Sequence, residues 1–194
     1  MRNLKFILML MLISAIAIGC GATKKSAQKT ATDLVKVGDM DNPPGTIMFD
    51  AANDRYTAEG TFKKWNFTDV NMTGADLTTM TANAKIDLTS IWEHSDKLTE
   101  HLKANDYFDV EKYTTANLSI ANVVAGMNNE YTADMELKMR GKTQKLPAEF
   151  KVTSKKPLKI RGTASVDRSI FGIGVENEGV PDMIKVRFET LLPM

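Results

Sequence analysis

His94 and His101 are the only histidines of the 194-residue chain, and Cys20 is its only cysteine. A zinc site draws three or four ligands from His, Cys, Asp and Glu at short, fixed spacings. Two histidines seven residues apart supply no third ligand, so no metal is expected and no cofactor is required. The sequence holds no HExxH, CxxC or G-x-S-x-G string, which leaves hydrolytic, redox and nucleophilic chemistry without its usual machinery. Asp106 and Asp109 flank Tyr107 and Phe108, and aspartates in such a setting are explained by turn hydrogen bonds. The glycines of "FGIG" and "RG" lack the strand-to-helix setting of a phosphate loop. An enzyme is therefore not expected. One charge stands out: Arg168 shares the alternating parity of Ala164 and Val166, and an inward guanidinium demands a partner. Three readings stay open for it: contact with an anionic or carbonyl group of a ligand, an internal ion pair, or a bulge that turns it outward.

The remaining reactive atom is the Cys20 sulfur. Arg2 and Lys5 precede an apolar run, Phe6 to Ile18, broken only by Ser14, and small residues Ala17 and Gly19 lead to Cys20. This is the layout of a secretory signal, too short for a helix that needs about 20 apolar residues to cross a bilayer. It resembles the bacterial lipobox, in which cleavage before the cysteine exposes it for acylation. Residues 1–19 are then a lipoprotein signal peptide, and residues 20–45 carry the lipidated Cys20 and a flexible tether. Roughly 20 such residues span about 25 Å. Gly21 after the cysteine favours the outer membrane under the usual sorting rule. The expected location is the bacterial cell envelope, on a membrane surface facing the periplasm. Loss of Arg2 and Lys5 takes the formal charge from +1 to −1, a balance that gives nucleic acid no foothold. No thiol would remain for a disulfide, so stability must come from a core. Oligomeric state cannot be read from these residues.

Residues 46–194 read as one domain, opened by the "NPPG" turn signal at 42–45. The dominant period is two. In "YTADMELKM" Ala133, Met135, Leu137 and Met139 share one face; after the "RGKT" turn, Leu146, Ala148, Phe150 and Val152 continue it. Pro147 lacks a ladder donor and places its strand at an edge or a bulge. Similar alternation marks Ala84, Ile86 and Leu88; Leu118, Ile120 and Val124; Leu158, Ile160, Ala164 and Val166; and Ile184, Val186 and Phe188. With strands near 46–50, 55–64 and 65–72 the count is about eight, one wet face each, which argues for an antiparallel barrel or sandwich. A short helix is expected near 96–104, capped by Ser95 or Asp96 and closing one end.

Three stretches carry a family resemblance. "HLKANDYFDVEKYTTANLSI", "ELKMRGKTQKLPAEF" and "ASVDRSIFGIG" occur in the order found in the YceI family, which they resemble across about residues 84–192. Thr114 and Ile170 depart from that family's usual proline and acidic residue. The resemblance implies an all-β, lipocalin-like, extended eight-stranded antiparallel barrel around a long isoprenoid chain, such as a polyprenyl phosphate or a quinone tail. The expected ligand contacts are Ile86, Leu88, Trp92, Leu102, Phe108, Leu118, Ile120, Met135, Leu137, Met139, Arg168 and Phe171. Methionines adapt to irregular apolar shapes, yet alternation alone equally describes a filled core. Two functions follow: a membrane-tethered lipid-binding protein that carries, stores or shields its ligand, or a filled barrel whose surface binds an envelope protein.

Overall fold

A computed structural model describes residues 36–52, 57–174 and 179–193. Cys20 and residues 1–19, the expected signal peptide, lie outside them. Ten strands form in chain order: β1 Gly45–Ala52, β2 Thr57–Phe62, β3 Trp65–Thr73, β4 Asp76–Asp87, β5 Ile91–Trp92, β6 Thr115–Ala125, β7 Glu130–Met139, β8 Lys142–Lys155, β9 Leu158–Asp167 and β10 Met183–Leu191. They make one antiparallel sheet, ordered β3-β4-β6-β7-β8-β9-β10-β1-β2-β5. It curls into a half-barrel around its apolar face. β3 and β5 are its two ends. Lys63 and Lys64, between β2 and β3, bond to Ser90 and Asp87 backbone groups and draw those ends together.

The count of ten corrects the expected eight: nine strands correspond to stretches read from the sequence, with β4 beginning earlier, at Asp76, and the tenth is β5, only two residues long and paired with Thr61 and Phe62 of β2. Two residues cannot display a period.

Alternation held along the long strands because each has a dry inner face and a wet outer one. Two local rules bend it. A bulge between Ala121 and Val124, with Asn122 at φ 52°, shifts β6 by one residue. Val123 is therefore buried and Val124 exposed, against the expectation that Val124 would face inward. Pro147 lies within a central strand, facing Asp134 of β7, but pairing of β8 with β9 starts one residue later, at Ala148. Its missing donor is tolerated because the ladder to β9 ends there; an edge strand is not required.

The helix α1 spans Asp96–Lys103. Ser95 Oγ accepts from the Leu98 N–H at 3.3 Å, Asp96 sits in the first turn, and His101 and Lys103 sit in the last. This arrangement satisfies the helix ends and its dipole. Leu102 is buried. No helix among the described residues is long and apolar enough to cross a membrane.

Part of the segment assigned to the tether is bound to the sheet. Gly38 N–H donates to Phe67 O at 2.8 Å, and Asn66 Nδ2 donates to Lys36 O at 3.0 Å and Asp39 O at 2.5 Å. Asn66 is 1% exposed, and its Oδ1 has no partner among the described residues. Farther along, Leu191 N–H donates to Pro44 O at 3.0 Å.

Across the outer face Arg187 bridges three strands, its Nε and Nη2 donating to the two carboxylate oxygens of Asp50 and Nη2 also to Glu59 at 2.8 Å. These bonds hold the Asp50 carboxyl below its ordinary value, against a smaller opposing effect of burial. A carboxylate with a lowered folded-state pKa stabilises above its unfolded pKa, and the contribution fades as pH falls through the folded value. The expected result is that Asp50→Asn narrows the gap between urea midpoints measured at neutral pH and below pH ~4, the usual carboxylate range. An unchanged gap would remove Asp50 from the acid sensitivity.

Candidate functional site: an apolar channel under an arginine-braced cap

Inside the curl lies a cavity of about 200 Å³. Its walls are aliphatic and aromatic, with Phe49, Met80, Ala84, Leu118, Met135, Ile160 and Val186 contributed by six strands. The lining follows β10 from Ile184 to Thr190, about 20 Å at ~3.3 Å per residue. A small volume over that length describes a narrow channel. Small residues make room within the wall: Ala84 stands between Phe67 of β3 and Leu118 of β6, and Ala82 between Val70 and Ile120. The Thr190 hydroxyl is spent on Leu191 O at 3.0 Å. Burying polar groups without hydrogen bonds is costly, so hydrocarbon is the chemistry this lining accepts.

One part of the channel is covered by three segments distant in sequence: the loop after α1, the β7–β8 turn, and the turn after β9. Arg140 sits in the two-residue turn joining Met139 to Lys142, at φ 50°. Its guanidinium donates to Tyr107 O at 2.6 Å, Asn105 O at 3.1 Å and Gly172 O. Gly174 N–H donates to Asp106 O at 2.7 Å. Arg168 braces the other side. Its Nη1 donates to Ile173 O at 2.7 Å, Nη2 to Val180 O at 2.8 Å, and Nε to Pro181 O at 3.0 Å, with Asp182 3.4 Å away. The Asp167 carboxylate accepts from Ser169 N–H at 2.9 Å and Ser169 Oγ–H at 2.6 Å, which lowers its pKa. Tyr107, Phe108 and Ile173 turn from this cap into the channel lining.

The sequence matches the YceI-like domain over residues 40–192. The chain belongs to the YceI-like domain family. Solved structures agree on the fold. BcnA of Burkholderia cenocepacia superposes with a TM-score of 0.70 at 20% identity, covering 76% of this chain and 96% of that one. The YCEI protein of Campylobacter jejuni gives 0.60 at 16% identity, covering 69% and 82%. A polyisoprenoid binding domain from Saccharophagus degradans, implicated in plant cell wall breakdown, gives 0.57 at 12%, covering 79% and 98%. A search of curated proteins found no match.

In this YceI-like domain ten of the twelve residues expected at the ligand line the channel: Ile86, Leu88, Leu102, Phe108, Leu118, Ile120, Met135, Leu137, Met139 and Arg168. Trp92 and Phe171 do not. Trp92 is half-buried on the two-residue β5, with the His94 ring 4.8 Å from it and Lys63 Nζ 4.1 Å above it. Phe171 is buried in the short helical turn Ser169–Phe171, beside the channel. The second histidine, His101, packs 4.4 Å from Tyr107. The backbone carbonyl of Asp109, a residue at φ 50°, accepts from Lys112 and Tyr113 N–H.

Sequence reasoning missed Arg140, whose "RG" reads only as a turn. It also missed Phe49 and Phe62, which close a three-ring cluster with Phe108 at centroid separations of 5.7–6.3 Å. A more open depression of about 980 Å³ includes Met48, Val124, Arg161 and Arg187. Its arginines already bond Glu189, Asp50 and Glu59.

Proposed function

We propose that this YceI-like chain binds a linear apolar lipid of the isoprenoid kind and carries, stores or shields it while tethered to a membrane through an acylated Cys20. The observation that carries the reading is the shape and chemistry of the channel: narrow, extended along β10 and lined by hydrocarbon. Its volume lies below the ~300–1,000 Å³ of ordinary ligand sites. That size suits a thin chain better than a compact ligand, and Met80, Met135 and Met139 in the wall can change rotamer to admit one. The Saccharophagus relative, described as a polyisoprenoid binding domain, supports the same ligand class.

Recognition in this reading works through the tail. The lining offers one charged side chain, Arg168, and its bonds run to cap carbonyls, so it positions the cap. A polyprenyl phosphate and a quinone are then alternative passengers sharing one kind of tail. The reading assigns no catalytic role.

The deciding experiment is native mass spectrometry of the full chain purified from bacterial cells, followed by organic extraction of whatever is released. A stoichiometric polyprenyl or quinone species is the expected result. An empty protein that also refuses added isoprenoids would overturn the proposal and leave the barrel as a surface-binding module.

A further inference from the structure

Two channel-facing phenylalanines rest on glycines of neighbouring strands. Phe49 of β1 is paired with Gly60 of β2, and Phe188 of β10 with Gly162 of β9. A Cβ built on Gly60 would stand 2.6 and 2.7 Å from Phe49 Cε2 and Cε1, and closer still to Cζ. A Cβ on Gly162 would stand closest to the Glu149 backbone oxygen, then 2.5 Å from Phe188 Cζ and 2.6 Å from Phe150 Cβ. Each ring therefore occupies the space a side chain would take, the arrangement in which an aromatic group covers a cross-strand glycine.

The directions matter because β1 and β10 are themselves neighbours, with Phe49 opposite Val186 and Ile47 opposite Phe188. Phe49 leans from this pair toward β2, and Phe188 leans the other way toward β9. The rings part, and the floor between them is left to Ile47, Ile184 and Val186, all of which line the channel. We infer that Gly60 and Gly162 determine which chains the channel accepts, by letting Phe49 and Phe188 lie against opposite walls. This rests on the lipid-binding reading above.

The physical step is steric. A methyl group on Gly60 points to the inner face and meets the far end of a side chain, which can move more readily than backbone. Phe62 and Phe108 already pack on Phe49. The ring's remaining free direction is into the channel, which is only about 200 Å³.

The test compares full-length wild type, Gly60→Ala, and Gly60→Ala with Phe49→Ala, each incubated with octaprenol or farnesol and read by native mass spectrometry. Thermal melts verify folding. Gly60→Ala is expected to cut octaprenol occupancy about tenfold or more, the scale on which small steric changes discriminate in apolar pockets, and the added Phe49→Ala to restore it. Gly60→Ala that melts normally and binds octaprenol as wild type does would overturn the inference. If Gly60→Ala does not fold, Phe49→Trp decides: a ring too large for the space over Gly60 is expected to cut octaprenol occupancy, and a folded Phe49→Trp that binds octaprenol as wild type does overturns the inference. Wild type that takes neither probe would instead bring down the lipid-binding reading, and this inference with it.

Discussion

Arg168→Met is expected to lower the unfolding free energy by about 1–3 kcal/mol, the range for removing a charged donor from part-buried acceptors. The side chain is 11% exposed, and removing it strands the carbonyls of Ile173, Val180 and Pro181 together. Hydrogen bonds from a charged donor contribute more than neutral ones. Asp182, at 3.4 Å and itself well exposed, adds little. Arg168→Lys is expected to recover only a small part, because an ammonium is a point charge and cannot span three carbonyls as a planar fork does. The loss should concentrate in the cap. Amide exchange at Gly174, whose N–H reaches Asp106 O, should quicken more than exchange in the central strands β7 and β8. Urea unfolding and hydrogen exchange together make the measurement. Equal quickening throughout the sheet would show that Arg168 stabilises globally and does not brace the cap in particular.

That expectation also marks where sequence reasoning stops. The hairpin of β7 and β8 was legible because Met135, Leu137 and Met139 alternate with Asp134, Glu136 and Lys138, and one slip of register would put all three apolar groups in water. The helix was legible from Ser95 and the Leu98–Leu102 spacing. Six of the expected contacts, Ile86, Leu118, Ile120, Met135, Leu137 and Met139, line the channel for the same reason: they stand on strands, and on a curled sheet the inner face is the channel wall. Other features depend on events across tens of residues. Arg140 reaches carbonyls 33 and 35 residues away, and no local pattern reports what a long side chain will find. Gly60 looks like any strand glycine until β1 is placed beside it and Phe49 lies over it. Asn66 reads as a polar residue in an apolar run, "WNF"; only the return of residues 36–39 along β3 explains its burial. Channel or filled core was undecidable from alternation, since both need the same residues inward. The difference lies in the volumes of paired residues, such as Ala84 set between Phe67 and Leu118.

Replacing residues 1–20 by a secretory leader that is cleaved before Gly21 is expected to move the protein entirely from the membrane to the soluble fraction. The expectation follows from the proposal that Cys20 carries the anchor. Each buried methylene contributes about 0.8 kcal/mol, one acyl chain alone binds only marginally, and two or more anchor a protein stably. Removing them is therefore close to all-or-none. Cys20→Ser is the companion variant, expected to abolish palmitate labelling and the lipid mass on the N-terminal peptide. A wild-type chain with an unmodified thiol, or with its first residue elsewhere, would overturn the anchor. The swapped protein should bind its lipid as the tethered one does. Binding and anchoring are separate in the chain: channel lining begins at Ile47, and Lys36, bonded through its carbonyl to Asn66, already belongs to the fold. The 16 residues from Cys20 to Lys36 span at most ~55 Å, which bounds how far the domain stands from its membrane. Where the segment reaches β10, Pro44 meets Leu191, whereas the Arg168 brace meets Asp182, just before β10 begins. The segment that leads back toward Cys20 thus meets β10 at the opposite end from the cap, and the leader swap should leave amide exchange in the cap unchanged. Bound lipid lost together with the anchor would mean instead that the acyl chains, and not the channel, hold it.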